Sequence, residues 1–556
     1  MAIHNRAGKV ALQTDLINLP KLMSHYYRIT PNVEDVLQKV TFGTSGHRGS
    51  SLKASFNQNH IWAITQAVVD YRQQAGITGP MIVGFDTHAL SYAAYMSVLE
   101  VLTANQVAVK VQKNDGFTPT PVVSQAIIAA NTAVNGEANS ATNIVSLTDG
   151  LIITPSHNPP QDGGIKYNPP HGGPAEAEIT KQIEANANQY LINQLSGVQK
   201  VNYGVAVDSG WIDEVDFIAP YVKSLSNVID LEAIAKANIK IGVDPLGGSG
   251  IYYWSHIAKQ HGLDITLVND KVDPSFGFMT LDKDGKIRMD CSSPYAMAGL
   301  LAHSENFDIC VGNDPDYDRH GIVCPGFGLM NPNHYLAVAI DYLLTYRKDW
   351  SVDLSIGKTL VSSAIIDRIC QSHDRQCLEV PVGFKWFVEG LADSSIAFGG
   401  EESAGAAFLN KDGSTWCTDK DGFILALLAA EILAVTGKTP AQRYVELTEQ
   451  FGESFYTRID SPINLKKKAK FEKLSSDSFA DKTLAGENIT AILSHAPGNN
   501  AAIGGIKVTT ENGWFAARPS GTEALFKIYA ESFISETHLS EIISQAQVMI
   551  DTALKA

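Results

Sequence analysis

Two stretches of this 556-residue chain place chemistry-bearing side chains at spacings a fold can use. In residues 151–168, Leu-Ile-Ile-Thr-Pro-Ser-His-Asn-Pro-Pro-Gln-Asp-Gly-Gly-Ile-Lys-Tyr-Asn, an apolar run leads into Ser156, with Pro155 and His157 beside it and Lys166 ten residues on. A buried strand is expected to end at Thr154, because Pro155 has no N–H for a ladder and restricts the residue before it. Ser156 then projects from a strand's carboxyl end, where open α/β sheets bind ligands, and is a candidate nucleophile. The competing reading is a turn or helix-cap hydroxyl. A hydrolase elbow is excluded, since Gly-x-Ser-x-Gly needs glycines where Thr154 and Asn158 stand.

The second stretch is Gly-Asn-Asp-Pro-Asp-Tyr-Asp-Arg, with Asp314, Asp316 and Asp318 at every second position. Pro315 argues against a helix, and in an extended segment alternate side chains fall on one side, so the carboxylates converge on a cation or form a solvated acidic turn. Hard oxygen donors favour Mg²⁺ or Ca²⁺. An EF-hand is excluded: counting from Asp314, Arg319 stands where its glycine belongs and Pro325 where its glutamate belongs. Three further stretches suit anions or hydroxyls. Thr41 to Ser50 packs Thr44, Ser45 and Arg48 among three glycines, and Arg518, Ser520, Gly521 and Thr522 put a guanidinium beside two hydroxyls and a flexible backbone. Gly399 to Gly405, Gly-Gly-Glu-Glu-Ser-Ala-Gly, reads either as a helix start with acidic residues or as a binding loop.

The elements that must position these residues are legible as short apolar runs, each ending in a polar loop, at Met81 to Phe85, Leu151 to Thr154, Ile239 to Val243, Asp308 to Val311, Thr359 to Ser362 and Ile396 to Phe398. Helix-like stretches such as Ile61 to Tyr71 and Tyr335 to Tyr346 lie between them, which predicts an α/β class with parallel or mixed sheets. The runs pair at similar intervals twice and at a shorter one the third time, as expected of a threefold repeat of one α/β unit. At ~150 residues per domain the length allows three or four domains. The predicted organisation is an N-terminal arm over 1–40, α/β domains over 41–205, 206–322 and 323–445, and a smaller α+β domain over 446–556. A basic helix-like patch at Lys466 to Lys473 falls in the last.

Composition is that of a soluble globular chain, 44% hydrophobic and 18% charged, with no apolar run approaching the ~18 residues of a membrane span. A net charge of −16 opposes nonspecific nucleic-acid binding, so an anionic substrate must meet local positive charge. Six scattered cysteines without a Cys-x-x-Cys pair suggest neither a disulfide framework nor a zinc site. No secretory leader is evident, and a cytoplasmic protein is expected.

The loops resemble those of the α-D-phosphohexomutases. Thr154 to Pro159 is similar to that family's phosphoserine loop, Thr-Ala-Ser-His-Asn-Pro, with Pro155 replacing alanine. Gly43 to Gly46 resembles its first loop, followed by a basic residue. Asp314 to Arg319 resembles its metal loop Asp-Gly-Asp-Gly-Asp-Arg, with Pro315 and Tyr317 in place of both glycines. Glu401 and Ser403 stand where the family holds the sugar's 3- and 4-hydroxyls, and the Glu-Glu-Ser form looks like the glucose-directed branch. Residues 518–523 match the distal phosphate loop, while Pro381 to Lys385 and Thr418 to Gly422 resemble two further substrate loops contributing Gly383, Lys385 and Lys420.

The resemblance spans Gly43 to Thr522 and implies three similar α/β domains with mixed sheets and a smaller α+β C-terminal domain around a central cleft. It implies reversible interconversion of glucose 1-phosphate and glucose 6-phosphate through phosphorylated Ser156 and a glucose 1,6-bisphosphate intermediate, with small hexose phosphates as partners and neither nucleic acid nor membrane. Mg²⁺ is the implied metal, held by Asp314, Asp316, Asp318 and the Ser156 phosphate, since two phosphate charges beside three aspartates make five negative charges to offset. Arg48, Lys166 and Arg319 add positive charge. Lys166, His157 and Lys420 compete as the general base; some relatives have a histidine where Gly405 stands, which favours Lys420. The alternatives are a mannose- or glucosamine-phosphate mutase, a phosphatase and a non-catalytic scaffold.

Overall fold

The computed structural model describes residues 3–43, 46–137, 146–462, 470–471, 474–519 and 525–555. Thr44, Ser45, Ser520, Gly521 and Thr522 lie outside these, as does most of the basic patch near residue 466. The chain divides into two compact units: Met1–Asn331 with Val388–Asp393 and Ala404–Thr439, and Pro332–Phe387 with Ser394–Ser403 and Pro440–Ala556.

The first unit carries two sheets. One runs in the order Phe42–Gly43, Gly46–Gly49, Gly163–Asn168, Asp149–Ile153, Met81–Phe85, Val109–Gln112, Ile212–Val215. Its central strands are parallel and the edge built from 163–168, 46–49 and 42–43 is antiparallel. Met81–Phe85 and Asp149–Ile153 are buried on both faces, as parallel strands under helices must be. The helices Gln58–Ala75 and Ala89–Ala104 join this core, and the arm contributes Leu22 and Tyr26 from its helix Leu19–Arg28. Strand Ile212–Val215 belongs to this sheet although it lies past residue 205. The other sheet has the order Gly328–Leu329, Gly321–Cys324, Ile309–Gly312, Lys240–Asp244, Asp264–Leu267, parallel in its last three strands and antiparallel in its first three. The helix Gly422–Thr436 is apolar apart from Glu431 and Thr436 and buried almost throughout; Asp421 caps it through the N–H groups of Phe423 and Ile424, and Gly437 ends it at φ 69°.

In the second unit, Cys377–Val380, Ser355–Thr359 and Ile396–Glu401 run parallel. A five-stranded antiparallel sheet follows, in the order Phe455–Pro462, Leu525–Ser532, Gly513–Pro519, Ala502–Thr509, Ala491–His495, with helix Glu536–Lys555 on its core face. One predicted run is displaced: the strand is Ser355–Thr359, and 360–362 is the turn after it. Lys358 hid it. Its side chain is 1% exposed, because its ammonium reaches Glu379 at 3.1 Å and also pairs with Asp367, so a polar letter stands inside a buried strand. Among the described residues no single helix is long and apolar enough to cross a membrane.

Candidate functional site

Strand Asp149–Ile153 ends where Pro155 begins the turn, and Ser156 follows at φ 58°, a left-handed conformation uncommon for a residue with a side chain. The loop closes tightly against its neighbour. A Cβ on Gly164 would stand 2.1 Å from the Thr154 carbonyl oxygen, so only glycine lets strand Gly163–Asn168 pass so close to the Ser156 loop. That strand pairs Lys166 opposite Ile152 and so places its ammonium beside the aspartate loop.

Ser156 Oγ donates to Asp314 Oδ2 at 2.8 Å and lies 3.2 Å from His157 Nδ1. Lys166 Nζ is 2.6 Å from Asp316 Oδ2 and 3.3 Å from Asp318 Oδ2, and Lys420 Nζ is 3.1 Å from the same Asp318 oxygen. Arg319 Nε stands 3.9 Å from Asp314 and 3.8 Å from Asp318. Arg48, on strand Gly46–Gly49, lies in the field of all three aspartates. Four cations thus meet three carboxylates, all within the first unit.

Burial is nearly complete and sets the protonation states. Burial first, then the neighbouring charges of Asp316 and Asp318, push the Asp314 carboxyl far above its ordinary range. Asp318 goes the other way: Lys420, Lys166 and Arg319 outweigh burial and hold it ionised. Burial works against the Lys166 ammonium, but Asp316 and Asp318 overcome that and keep it charged. His157 is pushed down to about 3, chiefly by burial and then by Arg319, so it is neutral.

Whether this trio fits a cation is decided by its oxygens. The ligating atoms of Asp314, Asp316 and Asp318 lie within 4.8 Å of one another, and the buried Oδ1 atoms of Asp316 and Asp318 have no hydrogen-bond partner. Buried carboxylate oxygens without a donor are costly, and a hard divalent ion satisfies them. The trio can therefore hold a metal ion. Its backbone differs from the extended segment expected: residues 315–317 form a turn, with Tyr317 at φ 62° and its N–H donating to the Asp314 carbonyl. The carboxylates converge through that turn.

Gly405 explains the Lys420 geometry. A Cβ at position 405 would stand 2.3 Å from Lys420 Cδ, so the lysine stem fills the space a side chain there would take. The Lys420 loop is anchored by Ser124 Oγ, which accepts from the N–H groups of Thr418 and Asp419 at 3.2 Å each.

The remaining predicted residues belong to the second unit. Glu401 is buried at the end of strand Ile396–Glu401, and 402–404 is a turn, so Gly399 to Gly405 is no helix start. Its glycines are packing residues: a Cβ on Gly399 would meet the Phe387 ring and one on Gly400 the Phe398 ring, both at 2.8 Å. Ser403 is half-buried. Gly383, at φ 130°, precedes the short helix Phe384–Trp386, where the Lys385 ammonium lies 5.0 Å from the Trp386 ring centre. Arg518 pairs with Lys527 across the C-terminal sheet, whose neighbouring strand sets Arg458 opposite Tyr529.

Sequence reasoning missed several partners. Thr120 Oγ1 donates to Asp316 Oδ2 at 3.0 Å and its N–H to the Asp316 carbonyl at 2.9 Å. Its setting, Thr-Pro-Thr-Pro, carries the same proline punctuation that singled out Ser156. Asp290 raises the basicity of Arg319, and Asn168 donates to Asp419 at 3.1 Å; neither carried a local signal. Arg458 and Lys527 became visible only through strand register.

Comparison with known proteins defines the class. Four models of the phosphoglucomutase/phosphomannomutase family match in order: alpha/beta/alpha domain I over residues 39–193, domain II over 219–328, domain III over 331–451 and the C-terminal domain over 466–546. The chain belongs to this family, with three α/β/α domains and a C-terminal domain, and is a phosphohexomutase of the isomerase class. The phosphoglucomutase of Komagataeibacter xylinus is 52% identical over 541 residues, 97% of this chain and 96% of that protein. Phosphoglucomutase 1 of Drosophila melanogaster is 23% identical, over 92% and 94%. Among solved structures, parafusin (phosphoglucomutase) from Paramecium aligns with a TM-score of 0.72 at 20% identity, covering 94% of this chain and 96% of that one. A phosphoglucomutase/phosphomannomutase family protein from Burkholderia thailandensis gives 0.68 at 18%, covering 93% and 97%. These two bear on fold alone.

Proposed function

We infer that the chain is a phosphoglucomutase, interconverting glucose 1-phosphate and glucose 6-phosphate through phosphorylated Ser156 and glucose 1,6-bisphosphate. The single observation that carries the reading is Ser156 Oγ, 2.8 Å from Asp314 in a trio of carboxylates that Lys166 and Lys420 flank. Identity of 52% to a phosphoglucomutase along nearly all of both chains supports glucose as the sugar.

Phosphoserine gives its phosphoryl group to the free hydroxyl of the bound hexose phosphate: the Oγ–P bond breaks, a sugar O–P bond forms, and the hydroxyl proton passes to Oγ. The bisphosphate then returns its other phosphoryl group to Ser156, whose proton passes to the sugar oxygen left behind. Such transfers depend mainly on positioning and charge stabilisation. Lys166, held charged by two carboxylates, supplies the proton at Oγ, and Arg48 and Arg319 neutralise the moving phosphoryl oxygens. The serine proton goes to Asp314, so neutral His157 donates its Nδ1–H to Ser156 Oγ. Lys420 is assigned to proton transfer at the sugar oxygen: the ammonium beside Asp318 gives its proton there, and the neutral amine that remains is the base for the reverse step. Asp314, Asp316, Asp318 and the serine phosphate would hold Mg²⁺, which when bound offsets the repulsion among these anions. Glu401 and Ser403 are assigned to the sugar hydroxyls, Lys385, Gly383 and Arg518 to the substrate phosphate, and Thr44, Ser45, Ser520, Gly521 and Thr522 join them on sequence alone. All six cysteines are free thiols, which supports the cytoplasm as its compartment.

The test is purified protein with Mg²⁺, glucose 1-phosphate and a trace of the bisphosphate, followed for glucose 6-phosphate and free phosphate. Mutase turnover gives the former without the latter. Stoichiometric phosphate release instead would make the protein a phosphatase.

A further inference from the structure

A further buried ion pair lies directly behind the Ser156 loop, on residues outside every motif discussed so far. Asp86 follows strand Met81–Phe85, and His88 precedes helix Ala89–Ala104. Both side chains are almost wholly inaccessible, at 1% and 0% exposure. Asp86 Oδ1 accepts from the His88 N–H at 3.0 Å and from Ser91 Oγ at 2.6 Å. Its Oδ2 accepts from Thr154 Oγ1 at 2.6 Å and faces His88 Nδ1 at 2.9 Å. The other ring nitrogen, Nε2, lies 3.0 Å from the Asn158 carbonyl oxygen.

These partners fix the charge of the ring. A carboxylate that already accepts three donors has no proton to offer, and a carbonyl never has one. Each imidazole nitrogen therefore faces an acceptor, and only the imidazolium donates to both. Phe276 covers the ring, with centroids 4.9 Å apart, and presents no titratable group. The charged neighbours are Asp86 and, behind the Asn158 amide that donates to it at 3.2 Å, Asp162. Burial alone disfavours the cation, but the Asp86 charge and hydrogen bonds outweigh it and raise His88 above its ordinary range.

Two arms thus leave Asp86 for the loop. One runs through Thr154 Oγ1, which in turn accepts the Ser156 N–H at 2.8 Å. The other runs through His88 to Asn158, two residues past the nucleophile. Between the two attachment points Ser156 holds its left-handed backbone.

We propose that His88, as an imidazolium bridging Asp86 and the Asn158 carbonyl, is a positioning residue that clamps the nucleophile loop so that Ser156 Oγ points at the metal-loop carboxylates. The functional consequence rests on Ser156 being the nucleophile; the bridge itself does not. Because the folded His88 is raised, the clamp is complete below its folded pKa and is lost as pH rises through that value.

The experiment uses the full chain with Mg²⁺. His88→Ala should lower kcat by about one to two decades, the scale on which ~1 Å of misplacement acts, with KM within about threefold, and should lower the thermal midpoint, because Asp86 is left as an unpaired buried charge. In His88→Gln the amide donates to Asn158 at every pH, so part of the rate should return and the wild-type alkaline fall in kcat should disappear. If His88→Gln keeps that alkaline limb, the proposal is overturned. A second readout needs neither turnover nor a stable alanine variant: with imidazole nitrogens labelled, one histidine should remain doubly protonated at pH 7.5, and its signal should vanish in His88→Gln. A neutral His88 there overturns the clamp whatever the enzyme does. Failure of the wild type to form a phosphoenzyme would instead sink Ser156 as nucleophile and leave the bridge standing.

Discussion

Ser156 carries three constraints: a buried hydroxyl, a left-handed backbone and a hydrogen bond to a carboxyl that is itself short of charge compensation. None of these serves packing, so removing the oxygen should spare the fold. Ser156→Ala is expected to abolish mutase turnover while shifting the thermal midpoint by no more than about 3 °C. Intact-mass spectrometry should find one phosphate on the wild type and none on the variant; phosphate on another residue would refute the assignment. At this scale the sequence was most informative where proline punctuated it. Pro155 marked the strand end and left Ser156 as the first side chain beyond it. Asp86 and His88 gave no such signal, because their roles depend on a loop some seventy residues away in sequence, and no local pattern encodes that meeting. Lys420 was one of three candidate bases, favoured because Gly405 stands where some relatives have a histidine. The structure adds the volume argument: the lysine stem fills the space a side chain at 405 would take.

Among the elements, the metal loop departs most from its family pattern, and the structure accounts for the departure. Tyr317 adopts φ 62° where a glycine would do so freely, and the strain is offset by burial. Its ring stacks on Phe423 at 4.4 Å, its hydroxyl accepts from Trp254 Nε1 at 3.1 Å, and its carbonyl takes the Gly422 N–H at 2.8 Å. Ser249 binds the Pro315 carbonyl through both its N–H and its hydroxyl, and Thr120 binds that of Asp316. The aspartates therefore stand on a pre-stiffened turn. Tyr317→Gly should relieve the backbone but lose this packing, destabilising the fold by about 3 kcal/mol, near the lower end for deleting a buried aromatic. Magnesium affinity, measured by calorimetry, should weaken several-fold, and excess Mg²⁺ should restore much of the rate. Chelation with EDTA should silence the wild type and added Mg²⁺ revive it; unchanged metal affinity in the variant would show that the ring only fills space. Reading the segment as extended reached the correct convergence for the wrong reason, since alternation and a turn both gather every second residue. The strands themselves were legible because parallel strands buried on both faces read as apolar runs. Ser355–Thr359 escaped because its buried Lys358 is satisfied by carboxylates from elsewhere in the chain.

For the whole molecule, the problem is an anionic substrate and a protein of net charge −16. Long-range attraction is unavailable, so binding must come from cations placed locally. Arg518 is one. It lies on a sheet face where register also sets Lys527 and Arg458, and its field reaches Glu402, whose carboxyl burial otherwise pushes up. The chemistry of the substrates makes this residue a sharp test. Glucose 1-phosphate offers its 6-hydroxyl to phosphoserine and glucose 6-phosphate its 1-hydroxyl, so the sugar must bind in two opposite orientations. In both, the phosphate already present is the one remote from the reacting oxygen. A single clamp can therefore serve both directions, whereas a residue that reads one end of the sugar cannot. Losing a charge-assisted hydrogen bond costs roughly 1.5–3 kcal/mol, so Arg518→Ala should lower kcat/KM by about one to two decades, and by similar factors in the two directions. The bisphosphate must also turn over without escaping, and a weaker clamp should raise the free glucose 1,6-bisphosphate formed per turnover. Both directions and the released intermediate are measurable on one preparation. If one substrate suffers and the other does not, Arg518 reads an end of the sugar and the shared clamp lies elsewhere.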